Sequence, residues 1–249
     1  MRDVAKDLAR QHEELDALLT GLDAAAWATP VPACPGWDVS DVVLHLAQTD
    51  AAAVASAEGR FGEAVLAGTG VGGATVDEVA ESGVAAERGL PPAELLARWR
   101  ETAAAARTAL GAVDPSTRLT WVAGELAART LATTRLSEAW IHTGDIQEAF
   151  GLPFTADDRL FHIARLAWRT IPYAFQRAGL DSAGEVKLEL EPPGGGMWLF
   201  GKGSPPTLIR GHALDFCLVA GRRRTPDQTG LVAEGPDART VLELVRTYA

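Results

Sequence analysis

Through the first 150 residues, apolar side chains recur at the three-to-four spacing of packed helices, and beyond Pro153 the rhythm changes. Val4, Leu8, Leu15, Leu18 and Leu22 fall on one face with charges between them, which predicts an amphipathic helix over residues 3–22. Pro30, Val31 and Pro32 break the chain, and Pro35-Gly36-Trp37 reads as a turn. Asp38 or Ser40 can then cap a second helix that carries Val42, Val43, His45, Leu46 and Ala53. Residues 59–90 are rich in glycine and small side chains and lack strong periodicity, so they read as a long irregular connection with room for one short helical piece. Pro91 and Pro92 open a third helix, with Leu95, Trp99, Ala103, Ala106 and Leu110 on a shared face, ending before Asp114-Pro115. A fourth runs from about Leu126 to Phe150, where Gly151 and Pro153 stop it.

After Pro153 the chain mixes periods. Residues 157–180 read as a helix, while Val186, Leu188 and Leu190 alternate with Lys187 and Glu189 as in a half-buried strand over 185–191. A hairpin through Gly194-Gly195-Gly196 leads to strands at 197–201 and 207–210, a helix at 213–223, a strand at 231–233 and a closing amphipathic helix at 237–248. The expected fold is an all-α four-helix bundle over 1–153 followed by a small α+β domain over 154–249.

Composition narrows the partners. With 249 residues, 47% of them apolar, the chain can bury one large core or two smaller ones. A formal charge of -10 repels phosphate backbones, and Arg222-Arg223-Arg224 is the one basic block, so nucleic acid is not an expected partner. Cys34 and Cys217 offer neither a disulfide framework nor a Cys-x-x-Cys pair, which suits a reducing cytoplasm. The first residues lack the apolar stretch of a signal peptide, and no run is long enough to cross a bilayer. A soluble, cytoplasmic protein without a membrane partner is therefore expected.

Glu138 and His142 stand four residues apart, so a helix stacks both side chains toward a common centre, and Asp145 extends the same stripe. A carboxylate and an imidazole so placed suit a borderline divalent metal such as zinc. Two ligands hold an ion poorly, and His45, at the edge of an apolar face between Val42 and Leu46, is the best third. The residues alone leave open a solvated Glu-His pair and a structural histidine. His12 lies amid glutamates on what reads as a solvated face, and His162 and His212 also read as structural. Gly68 to Gly73 matches G-x-G-x-x-G but lacks the strand before it, and Gly196 to Lys202 matches a phosphate loop except that Gly203 replaces the Ser/Thr. Neither is read as a phosphate site. Cys34 reads as an ordinary thiol, and Trp37, Trp121 and Trp140 as core.

Two segments carry a resemblance. Pro35-Gly36-Trp37-Asp38-Val39-Ser40-Asp41-Val42-Val43-Leu44-His45-Leu46 and, about ninety residues on, Arg135-Leu136-Ser137-Glu138-Ala139-Trp140-Ile141-His142-Thr143-Gly144-Asp145-Ile146 together resemble the paired signature of the mycothiol-dependent maleylpyruvate isomerase-like family, related to the DinB metalloenzymes. Gly211 to Val219 and the closing helix resemble the small C-terminal domain of a subgroup of that family. The resemblance implies a DinB-like bundle holding a divalent metal, usually zinc, through His45, Glu138 and His142, with a vacancy for a ligand. Asp145 would orient a ligand from behind, and Arg222, with its neighbours or Arg210, would bind a substrate carboxylate or the polar parts of the thiol. Mycothiol would act as co-substrate: its thiolate adds to an activated double bond, and elimination after rotation gives isomerisation, or release of the adduct gives S-transfer. A same-fold enzyme using metal-activated water, and a non-catalytic small-molecule-binding module, are the alternatives.

Overall fold

The computed structural model describes residues 3–62, 76–122, 124–181 and 183–247. The glycine motif at 68–73 lies outside the described residues. The chain divides into two compact units, Met1–Phe154 and Thr155–Ala249.

In the first unit, α1 (Val4–Thr20) starts at Asp3, whose carboxylate accepts from the amides of Ala5 and Lys6. Helix α2 (Val39–Ala57) is capped by Asp38, which accepts from the Asp41 amide while the Asp41 side chain reaches back to the Asp38 amide. Ser40, the other candidate cap, instead donates to the Trp27 carbonyl. Within the stretch read as irregular, Val76–Glu87 forms α3, a helix of three turns rather than a short piece. Helix α4 (Pro92–Ala112) begins with proline at its first position and buries Leu95, Trp99, Ala103, Ala106 and Leu110, the face its periodicity predicts. An antiparallel hairpin of β1 (Arg118–Trp121) and β2 (Gly124–Ala127) follows, which the helical reading from Leu126 misses. Helix α5 (Ala128–Ala149) therefore starts two residues later than predicted. Helices α1, α2, α4 and α5 pack around a core of Leu15, Leu19, Val42, Val43, Leu46, Leu95, Trp99 and Ile146.

Helix α5 is buried on every side from Thr134 to Ile146, yet it carries Thr134, Arg135, Ser137, Glu138, His142, Thr143 and Asp145 there. Buried polar groups need partners, and the neighbouring helices supply several of them. The Arg135 guanidinium donates to Asp50 at 3.0 Å and to Thr49 at 2.7 Å on α2, and Gln11 of α1 donates to Thr143 at 3.0 Å. His12 is buried beside this network, not on a solvated face: Arg107 donates to its Nδ1 at 2.6 Å, and its Nε2 lies 3.9 Å from Asp50. Helical period explains the correction, because His12 shares the inward face with Leu8, Leu15 and Leu19 in spite of its glutamate neighbours.

The second unit combines α6 (Leu160–Arg177), α7 (Ala213–Ala220) and α8 (Ala238–Leu244) with a four-stranded mixed sheet. Its strands are β3 (Val186–Glu191), β4 (Trp198–Phe200), β5 (Thr207–His212) and β6 (Val232–Glu234), ordered β4-β3-β5-β6. Only β3 and β5 run parallel, with Leu188 opposite Ile209. Val186, Leu188 and Leu190 are buried as their alternation predicts, while Lys187, Glu189, Arg210 and Glu234 pair on the other face. Gly203 leads into β5 rather than a helix, so the phosphate-loop match is accidental, as its sequence context indicates. The last helix ends at Leu244 rather than 248, since the Thr247 amide donates to the Ala220 carbonyl in place of a helical partner.

Burial pushes the His12 imidazole down to about 4; the Asp50 carboxylate opposes this and the Arg107 and Arg135 charges reinforce it. As pH falls below the ordinary 6.5, the unfolded chain takes up this proton before the folded one does. Stability is therefore full above about 6.5 and declines toward pH 4, by up to about 3 kcal/mol. Urea unfolding of wild type and His12→Gln across this range should show the variant with the shallower pH slope; identical slopes would remove His12 as the cause. A second expectation concerns Gly144, where an added Cβ would lie 1.9 Å from the Phe154 ring. Gly144→Ala should cost about 1–3 kcal/mol through overpacking, and Phe154→Leu in the same chain should recover part of that loss. Unchanged stability of the single variant would mean that the ring can move aside freely.

Candidate metal centre

Three side chains from two helices converge inside the first unit. The Asp38 cap fixes where α2 begins, which sets His45 two turns in and facing α5. On α5, one helical turn separates Glu138 from His142 and a further three residues bring Asp145 onto the same stripe. Glu138 Oε2 lies 3.6 Å from His45 Nε2 and 3.7 Å from His142 Nε2, and the three donor atoms all lie within 4.8 Å of one another.

These separations are long for hydrogen bonds. Two ligand atoms about 2.1 Å from a tetrahedral ion stand about 3.4 Å apart, so the carboxylate–imidazole spacings lie close to what a shared ion requires. Glu138 Oε1 is buried and has no hydrogen-bond partner among the described residues, which leaves an anionic oxygen uncompensated in the protein alone. The donor set, two imidazole nitrogens and a carboxylate, is one a borderline divalent ion accepts, and the residues fit such an ion.

Electrostatics at the site oppose one another. Burial lowers His45 more than its contact with Glu138 raises it, which keeps the ring neutral with a lone pair to give. Burial alone would raise Glu138, but contact with His45 and the charges of His142 and Arg135 outweigh it and hold the carboxyl below its usual range. Burial likewise works to lower His142, and is overcome by hydrogen bonding to Asp145 and Cys34, so the ring is lifted to about 9. Asp145 Oδ2 sits 2.9 Å from His142 Nδ1, which directs Nε2 toward Glu138. In the ion-free protein a proton on His142 thus lies between two buried carboxylates.

The structure places the remaining candidates elsewhere. Arg222, in the second unit, is exposed, adopts a left-handed backbone with φ 62°, and donates through Nη1 to the Glu243 carbonyl. Arg210 is paired with Glu189 and Glu234. His162 is buried in α6, and His212 is exposed with Glu191 3.4 Å away.

Two residues that the sequence reading sets aside belong to the centre. The Trp37 ring lies 5.3 Å from the His45 ring, which in turn lies 5.2 Å edge-on to His142. Cys34 Sγ approaches Asp145 Oδ2 at 3.5 Å and His142 Nδ1 at 3.9 Å. Both come from the turn around Gly36, whose φ of 87° only glycine adopts without strain. Their adjacency to the helix-two motif is the one sequence signal that pointed to them. A cleft of about 530 Å³ is lined by Pro32, Ala33 (next to Cys34), Asp145, Glu148, Gly151, Leu152 and Pro153.

No helix among the described residues is long and apolar enough to cross a membrane. A family model described as the mycothiol maleylpyruvate isomerase N-terminal domain matches residues 8–147. Two Mycobacterium tuberculosis proteins, the uncharacterized protein Rv0036c of strain H37Rv and the uncharacterized protein MT0041 of strain CDC 1551, are each 35% identical over 246 residues, covering 98% of this chain and 94% of theirs. Crystal structures of a mycothiol-dependent maleylpyruvate isomerase and of a histidine-to-alanine mutant of it match with a TM-score of 0.61 over 94% of both chains. Their identities of 18% and 19% speak for a shared fold, a helical region followed by a small sheet-containing domain. The extent of the family match, together with full-length relatives at 35% identity, shows that this chain belongs to the mycothiol maleylpyruvate isomerase N-terminal domain family.

Proposed function

We propose that this chain is a zinc-dependent enzyme that uses mycothiol to isomerise, or to transfer sulfur to, an activated unsaturated small molecule. The observation that carries the reading is the meeting of His45 and His142 on Glu138, a buried carboxylate whose Oε1 has no hydrogen-bond partner among the described residues. A buried carboxylate without a donor is costly, and a cation removes that cost.

When bound, zinc would supply the positive charge that keeps a coordinated thiol ionised at neutral pH. The chain's own groups do the rest. Asp145 accepts from His142 Nδ1, holds the tautomer that turns Nε2 inward, and raises the ring's basicity. The Trp37 ring limits how far His45 can turn. Three protein donors leave a coordination position for the thiol, which is the arrangement of catalytic rather than structural zinc sites. The related structures are of a mycothiol-dependent maleylpyruvate isomerase, and a cis-configured unsaturated keto acid of that kind is the substrate class proposed for this chain.

Calorimetric titration of the metal-free protein should include a tight zinc equivalent in the His45–Glu138–His142 site, and Glu138→Ala and His142→Ala should each lose it. Asp145→Asn should weaken binding by about 10–100-fold without abolishing it. Uptake should release a proton between pH 7 and 9, because zinc displaces the one on His142. With zinc and mycothiol, maleylpyruvate should turn over; turnover independent of the thiol would point to metal-activated water, and a chain that takes up no zinc would be a binding module.

A further inference from the structure

His142 has two faces, and the zinc reading uses one. Its Nε2 points toward Glu138 and His45, while its Nδ1 lies among a different set of donors: Asp145 Oδ2 at 2.9 Å and Cys34 Sγ at 3.9 Å, with Sγ and Oδ2 3.5 Å apart. We propose that Cys34, Asp145 and Nδ1 of His142 form a second, thiolate-bearing metal site on the opposite edge of the same imidazole.

The spacings argue for it. An ion about 2.3 Å from a thiolate sulfur and about 2.1 Å from nitrogen or oxygen holds sulfur about 3.6 Å from its neighbours, near the distances seen for Cys34. The Asp145–His142 separation is shorter than a coordination edge because a hydrogen bond now occupies it, and an ion would open that contact by a few tenths of an ångström. All three atoms lie within 4.8 Å of one another, the spread shared by the His45–Glu138–His142 donors.

Access supports it independently. Asp145 forms part of the wall of the 530 Å³ cleft, Ala33 beside Cys34 forms another part, and Glu148 adds a second carboxylate at the rim. Of the three donors Asp145 borders this cleft, so an ion has an approach that carries two carboxylates. Cys34 is half-buried and free of any disulfide, whereas Cys217 is fully buried in the other unit. Sulfur in the donor set selects Zn²⁺, Co²⁺ or Cu⁺ over Mg²⁺ and Ca²⁺.

Binding at this site releases the Cys34 thiol proton and the His142 Nδ1 proton to solvent; with both sites filled the imidazole ring bridges the two ions. No oxidant or reductant takes part. The inference shares with the site proposed above the His142 ring and Asp145, whose carboxylate would pass from the Nδ1 proton to the second ion.

Cobalt(II) separates the sites, since a thiolate ligand gives an intense near-ultraviolet charge-transfer band that nitrogen and oxygen donors do not. Metal-free full-length protein, its Cys34→Ser and its His45→Ala variants would be titrated anaerobically with Co²⁺. The expected result is a thiolate band in wild type, lost in Cys34→Ser and retained in His45→Ala, which loses only the visible ligand-field absorption of the first site. A wild type without the band, or a band that survives Cys34→Ser, would overturn the proposal. Loss of the band in His45→Ala would also overturn it, by making Cys34 a ligand of the first ion. A first site that does not exist would show separately, as ligand-field absorption indifferent to His45→Ala.

Discussion

The first unit depends on burying α5 together with its charges. A helix enclosed on all sides by apolar neighbours would ordinarily be apolar itself, and an isolated ion in such a place costs several kcal/mol. Arg135, His142 and Asp145 can lie there because each meets a partner of suitable sign or hydrogen-bonding capacity. Asp50 and Thr49 of α2 take the Arg135 guanidinium, and Gln11 of α1 meets Thr143. His12 and Arg107 bring α1 and α4 into the same network. Packing of the four helices and satisfaction of α5 are thus one constraint, and the helices cannot shift in register without orphaning a charge.

Within that constraint the centre is where the protein's own groups fall short. Arg135 and Asp50 pair within hydrogen-bonding distance and Thr143 has Gln11, but among the described residues Glu138 has two imidazoles beyond 3.5 Å on one oxygen and no hydrogen-bond partner on the other. The contrast between a satisfied network and one unsatisfied carboxylate a turn away gives the proposed ion its place. Rigidity of the surrounding helices then serves the site, since an enclosed helix holds its ligands without help from loops.

Much of the bundle is legible in the sequence because the helices bury clean apolar faces. The 3.6-residue period of Leu95, Trp99, Ala103, Ala106 and Leu110 reproduces the buried face of α4 position by position. Short elements are less legible: β1 and β2 have four residues each, too few for alternation to stand out, and Leu126 fits the helical stripe that follows equally well. The Glu138–His142 pair is legible as a spacing. The convergence of His45 on it depends on tertiary packing across more than ninety residues, so its place at the edge of an apolar face makes it a candidate third ligand and the resemblance to a known family strengthens that choice. Cys34 and Trp37 escape the sequence reading for the same reason: their contacts pass through a glycine turn to a helix far along the chain. His12 was within reach, because period places it inward, and the glutamates on either side of the face obscure that.

Crystallography at the zinc absorption edge, on protein crystallised without added metal, would show directly whether His45, Glu138 and His142 hold an ion. An anomalous peak is expected about 2.0–2.2 Å from His45 Nε2, His142 Nε2 and a Glu138 carboxylate oxygen, with His142 Nδ1 still facing Asp145. A map without a peak there after zinc soaking, with Glu138 turned to find a protein donor instead, would contradict it.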